Sequence, residues 1–315
     1  MPTDPTHFTL VAKQLLRGKV TPFLGAGVNL AGRAAGAKWE RGHNLPSGSE
    51  LARYLAESYA YPESDTDLLR ISQYVDARLG EGVLYEELRD LFAAEYPPTD
   101  LHRFLAEMVP ILRRVGARQQ VMVTTNYDDL LENALTAARE EYDLLWYEAK
   151  SGDPNFGRFL HRAPGGAVEP IEVPNEWTGL DLLARPAILK LHGAVGTSAD
   201  EDSFVITEDN YIDYLARSDV LNQIPKALQE PLTTTHFVFM GYSLRDWNLR
   251  VVLNRIWGQQ KLSLHSWSIQ LGATELDKSL WSSRGTVEII AEDISTYVAS
   301  LKAAVDACVS AMPAT

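Results

Sequence analysis

Four short apolar runs, spread across the chain and each ending in glycine or a small polar residue, restrict this sequence to a narrow set of folds. They are Val20–Leu24 before Gly25-Ala26-Gly27-Val28-Asn29, and Val121–Thr124 before Thr125-Asn126-Tyr127-Asp128. Ile188–Leu191 then leads into His192-Gly193, and His236–Met240 into Gly241-Tyr242-Ser243. Separated by helical patterns, such runs read as parallel strands, so the predicted fold is α/β, a Rossmann-like, mostly parallel sheet flanked by helices. Open sheets of this kind bind ligands in the crevice beyond the carboxyl ends of their strands. The four run ends are therefore expected to converge on one crevice.

The remaining elements follow from periodicity. Residues 5–18 read as a helix with Phe8, Val11, Leu15 and Leu16 on one face and Gly18 as its stop. From 47 to 114 the pattern is helical. Ser49 precedes Glu50–Leu55, Leu68, Ile71, Tyr74 and Val75 continue the spacing, and stretches at Leu84–Phe92 and Leu101–Leu112 follow. Tyr96-Pro97-Pro98 separates those last two. The block is too long for one crossover and predicts a helical insertion, 47–114, within a single domain spanning 1–315. A helix at Tyr127–Ala138 and a strand near Asp143–Tyr147 come next. Residues 149–185, rich in glycine, proline and charge, read as a long loop, a candidate lid or contact surface. Strands are expected at 187–191, 203–206, 235–240, 266–270 and 286–290. Helices are expected near 208–216, 219–229, 246–257 and 293–311.

Charge and cysteine content narrow the function. With 29 basic against 42 acidic residues the formal charge is −13, which repels phosphate backbones and disfavours direct nucleic-acid binding. Cys308 is the only cysteine, so neither an intrachain disulfide nor a multi-thiolate zinc site can form. No histidine stands at metal-ligand spacing from a partner, and no metal site is expected. No apolar stretch reaches the roughly 18 residues of a membrane helix. The N-terminal residues, with Asp4 and His7, do not form a secretory signal, so a soluble cytoplasmic protein is expected.

Each run end admits a structural and a chemical reading. Gly25-Ala26-Gly27 can be a plain strand-to-helix turn, or a turn whose bare backbone approaches a pyrophosphate. The next glycine is Gly32, so the spacing is not that of the dinucleotide fingerprint. Asn126 suits a helix N-cap, with Asp128 and Asp129 at the positive end of the dipole; equally, its amide could orient a ribose or a water. His192 can be a satisfied core histidine, or a base at a strand end with room left beside it by Gly193. Ser243 and Asp246 resemble a capping pair, while Gly241 could let a ribose lie against backbone.

Taken in order, these pieces resemble the sirtuin fold, specifically the sirtuin-like domain of bacterial antiphage defence systems. Phe23–Asn29 is similar to the family's nucleotide loop, and Leu45–Leu51 to the segment that follows it. Thr124-Thr125-Asn126-Tyr127-Asp128 is similar to its T-x-N-x-D stretch, Leu191-His192-Gly193 to its His-Gly pair, and Gly241-Tyr242-Ser243-Leu244 to its late Gly-x-Ser turn. The resemblance spans residues 18 to 290. Protein deacylases of that family carry a four-cysteine zinc module, which this chain cannot build.

The resemblance thus implies NAD as substrate, no zinc, and hydrolysis of the nicotinamide–ribose bond by an antiphage effector that depletes NAD. It implies Asn126 at the ribose or attacking water, Asp128 at the carboxamide, and His192 at a ribose hydroxyl or accepting a proton. Gly25, Ala26, Gly27, Asn29, Thr125, Gly241 and Ser243 would line the dinucleotide. It also implies assembly with itself or with a separate sensor or activating protein. A regulatory subunit that binds NAD or ADP-ribose without cleaving it is the alternative, followed by NAD-dependent deacylation or ADP-ribosyl transfer.

Overall fold

The computed structural model describes residues 3–34, 36–64, 66–216, 224–242, 264–282 and 287–312. Its centre is a nine-stranded sheet of Val20–Leu24 (β1), Val121–Thr124 (β2), Asp143–Tyr147 (β3), Phe159–Arg162 (β4), Val168–Pro170 (β5), Ala187–Lys190 (β6), His236–Met240 (β9), Ser266–Ile269 (β10) and Val287–Ile290 (β11). Gly193–Ala194 (β7) and Ser203–Phe204 (β8) form a separate two-stranded ribbon. The order is β11-β10-β9-β1-β2-β6-β3-β4-β5, parallel from β11 to β3 and antiparallel at β4 and β5. The four apolar runs are the adjacent strands β9, β1, β2 and β6. The chain builds outward from β1 in both directions, so the switch point lies between β1 and its neighbours.

Every residue of β1, β2, β3 and β6 is buried, as a sheet covered on both faces requires. Alternation assigns the faces. Met122, Ile188 and Val238 pack with helices Pro5–Leu15 (α1), Asp100–Arg114 (α5), Leu130–Ala137 (α6) and Ile294–Ser310 (α10). Val121, Val123, Leu189 and Phe237 pack on the other face with Glu208–Ala216 (α7) and Lys226–Thr233 (α8). Pro22 stands inside central β1, where a missing N–H is normally excluded. Odd-numbered amides of this segment face β9, as Gly25 N does in bonding Met240 O, so the gap falls toward β2. There β1 pairs only from Phe23 onward, and the Gln120 side chain reaches Val20 O instead.

The helical block inserts between β1 and β2 as expected: Gly48–Ser58 (α2), Leu68–Leu79 (α3), Glu81–Phe92 (α4) and α5. The cap of α2 is Ser47, in a reciprocal capping box with Glu50. Leu51, Leu55, Ile71, Val75, Leu84, Leu88 and Leu91 form an apolar cluster that closes on Leu130, Phe204 and Ile206.

Three expectations need correction. Residues 149–185 are not one loop, because β4 and β5 extend the sheet edge within them. Ile171 stands at the carboxyl end of β3, its N–H on Phe159 O, but by residues 182–185 the chain has reached the amino ends of the strands. There Gln119 N bonds Leu182 O, and Arg185 and His161 both bind the fully buried carboxylate of Asp143 at the start of β3. Helix α6 begins at Leu130 and not at Tyr127. A helix at Glu275–Ser282 (α9) was not anticipated. The helix expected at 246–257 lies outside the described residues, and that near 219–229 is described only from Lys226. Among the described residues no helix is long and apolar enough to cross a membrane.

Glu148, directly after β3, yields a pH prediction. It is 2 % exposed, and burial pushes its carboxyl up to about 7. Between its ordinary 4.5 and about 7 the folded state holds a proton that the unfolded chain has lost, so stability falls as pH rises through that window. Glu148→Gln should flatten this slope, removing a difference of up to about 3 kcal/mol. Urea unfolding of both proteins at pH 5 and 8 measures it; parallel curves would contradict it.

Candidate functional site

The turns after β1 and β9 are built against each other. Gly25 N donates to Met240 O at 3.0 Å and Gly27 N to Gly241 O at 2.8 Å. A Cβ on Gly27 would lie 2.7 Å from Gly241 O, and one on Gly25 would lie 2.5 Å from the Tyr242 ring. Gly241 has φ +68°, and its Cβ would sit 2.2 Å from Val28 N. These glycines are thus required by close approach of two backbones, before any ligand is considered.

The interlocked turns form one wall of a cavity of about 360 Å³. Ala26, Gly27 and Asn29 reach it from the first turn, Gly241 and Tyr242 from the last. Thr125, Asn126, Tyr127 and Asp128 line it from the end of β2, and His192 from just beyond β6. The helical block supplies the opposite wall through Ser47, Leu51, Leu68 and Phe92. A second cavity, of about 540 Å³, shares Gly27, Leu30, Gly241 and Tyr242 and continues over Ile269–Ala273 and Glu292–Ile294 at the ends of β10 and β11. Of the residues singled out from sequence, Gly25 does not line the first cavity; its carbonyl accepts from Asn126 Nδ2 at 3.4 Å. Ser243 lies outside the described residues.

Asn126 is 8 % exposed, and its backbone N–H donates to Thr124 Oγ1 at 3.0 Å. It does not cap α6. The bond to the helix start comes from Asp128, whose Oδ1 accepts from Leu130 N at 3.2 Å. Asp128 Oδ2 accepts from Asn29 Nδ2 at 2.7 Å, so this carboxylate lines the cavity as half of a fixed pair. Burial raises the Asp128 pKa, opposed by the nearby Lys190 charge and the Asn29 bond. Asn29 Oδ1, by contrast, is buried with no hydrogen-bond partner among the described residues, an acceptor beside the cavity.

His192 is 4 % exposed, and its Nδ1 lies 3.2 Å from the Tyr211 hydroxyl with the rings edge-on at 5.2 Å. The space expected beside it at Gly193 is occupied. Gly193 has φ +87°, and a Cβ there would meet Ser203 O at 2.0 Å, because β8 packs against it. Its backbone freedom serves the turn and not the ring's surroundings.

Tyr211 and the helical-block residues were missed from sequence. Tyr211 and Tyr214 share one face of α7 by their spacing, a pattern that reads as core, and both are buried. Nothing in the sequence places α2 and α4 over the crevice. Among the described residues no group of three or more His, Cys, Asp or Glu could hold a metal ion.

Comparison with known proteins adds to this geometry. The family described as SIR2-like domain matches residues 120–289. "Defense-associated sirtuin 2" of Bacillus subtilis is 24% identical over 253 residues, 79% of this chain and 20% of that protein. "NAD(+) hydrolase ThsA" of Acinetobacter baumannii is 28% identical over 250 residues, 78% of this chain and 41% of that protein. The protein of the same name from Enterococcus faecium is 29% identical over 196 residues, 62% of this chain and 33% of that protein. The chain spans less than half the length of each of these curated relatives.

Proposed function

Because this chain belongs to the SIR2-like domain family, with the matched region covering the ends of β2, β6 and β9 that carry Asn126, His192 and Gly241, we propose that it hydrolyses NAD at the nicotinamide–ribose bond as an antiphage effector. The observation that carries the reading is that Asn126 and His192, remote in sequence, line one cavity against the interlocked glycine turns. Relatives named NAD(+) hydrolase and defense-associated sirtuin support it.

The nicotinamide riboside half occupies the first cavity and the adenosine half the second, with the pyrophosphate beside Gly27 and Gly241, which both cavities share. The C1′–N bond breaks with its electron pair leaving on neutral nicotinamide, and positive charge develops on the ribose. Water adds at C1′ and loses a proton, giving ADP-ribose. Little covalent work falls to the protein; orientation and electrostatics supply the rate. The Asn126 amide orients the ribose or the water, and His192, its Nδ1 facing Tyr211, bonds a ribose hydroxyl or takes the proton through Nε2. Asn29 Oδ1 accepts from the carboxamide NH₂, with Asp128 holding Asn29 in that orientation.

The test is direct. Purified protein incubated with NAD should release free nicotinamide. NAD binding without release, in every assembly state, would assign the chain to the non-hydrolysing regulatory reading, and neither binding nor release would remove both. We read the protein as cytoplasmic and gated by assembly with itself or a separate sensor, so the assay is run across fractions of defined mass.

A further inference from the structure

Lys190 takes no part in the reaction as written, yet it is 1 % exposed at the end of β6. An ammonium that deep needs its charge balanced and its three protons accepted. Both needs are met. Nζ lies 2.5 Å from Glu132 Oε1 and donates to Asp128 O at 2.6 Å and Tyr127 O at 3.3 Å. The two carbonyls belong to the turn that carries Asn126, while Lys190 itself stands two residues before His192. One side chain therefore ties together the two segments that must be in register for the site to exist. Stability alone is a poor reason for such a pair, since apolar residues of the same volume generally do as well.

Resting on the NAD-cleaving reading, we propose that Lys190 is a positioning residue, whose ammonium locks the Tyr127 and Asp128 carbonyls to the end of β6 and so sets the Asn126 amide against the His192 ring. Glu132, on α6, neutralises the charge and has no other part. The backbone bonds Leu191 N to Thr124 O and Val195 N to Tyr127 O join the same segments, both from residues after Lys190. The lysine adds the Asp128 carbonyl, which neither of those bonds reaches. A displacement near 1 Å at such a point costs on the order of 100-fold in rate.

The experiment compares wild type, the double variant Lys190→Met/Glu132→Leu, and Glu132→Gln, reading melting temperature, kcat and KM for NAD, and hydrogen exchange of the 125–130 amides. The double variant removes both charges and should melt near wild type, while its kcat falls on the order of 100-fold with KM nearly unchanged. Its 125–130 amides should exchange faster. Glu132→Gln keeps the lysine and should keep wild-type kcat and local protection even where melting falls. A double variant with wild-type kcat and wild-type exchange would overturn the proposal, as would Glu132→Gln losing kcat as severely as the double variant. Should the double variant fail to fold, the same readouts on Lys190→Gln decide the matter. If wild type releases no nicotinamide the NAD reading falls by itself, and the exchange of 125–130 still tests the lock.

Discussion

Asn126→Ala should lower nicotinamide release by about 100-fold or more while leaving the fold intact. The two halves of that expectation have separate causes. Among the described residues the Asn126 side chain contributes one long bond, to Gly25 O at 3.4 Å, and the Thr124 Oγ1 bond uses the backbone N–H that alanine retains. Unfolding free energy should therefore change by no more than about 1 kcal/mol. The catalytic loss would come from removing a fixed dipole where, in the proposed reaction, the ribose charge develops. His192→Ala should fall by a similar factor, since a positioned proton acceptor contributes about 100-fold or more. It should cost more stability, because it removes a buried ring packed on Tyr211 and Tyr214. Full activity in both variants, with wild-type melting, would place the chemistry elsewhere.

The second large effect is on folding. Gly241→Ala should destabilise the protein by roughly 3 kcal/mol and abolish dinucleotide binding, because positive φ and steric conflict act together. The added Cβ would lie 2.2 Å from Val28 N and 2.7 Å from Val28 Cγ1. Gly32→Ala separates the two contributions. Gly32 has φ +82° with nothing within 4 Å of the added carbon, so it should cost only about 1 kcal/mol. Urea unfolding of the two variants, with the dinucleotide's thermal shift measured alongside, gives the comparison. Equal losses would mean that the turns after β1 and β9 are not interlocked.

The strands were legible because each is a continuous apolar run closed by residues that cannot prolong it, such as Gly25 after Leu24 and Gly241 after Met240. The convergence of Asn126 and His192 followed from the same pattern, since both stand at the carboxyl ends of neighbouring parallel strands. Strands β4 and β5 were hidden because Gly157, Pro164 and Gly165 flank runs too short to carry a period, and β5 itself ends in Pro170. The start of α6 was misplaced because Asn126 is a good capping residue by type, yet the turn needed one more pair of residues before Asp128 could meet Leu130 N. The Tyr211–His192 contact depends on how α7 docks, and no local pattern encodes it. The same holds for Asn29 and Asp128, which are far apart in sequence and 2.7 Å apart in space.

The far wall of the site belongs to the helical block, which has an apolar cluster largely of its own. Its α3 is tied to α7 by a reciprocal pair, Gln73 Nε2 to Asp209 Oδ2 and Asp209 N to Gln73 Oε1, two residues before Tyr211. Were such a roof to shift as a body, each shift would reshape the chamber beneath it. Whatever grips its outer surface more tightly in one placement changes the affinity of the occupant, and the occupant alters that grip by an equal factor. Reciprocity of this kind would make the block a lever on the proposed hydrolysis.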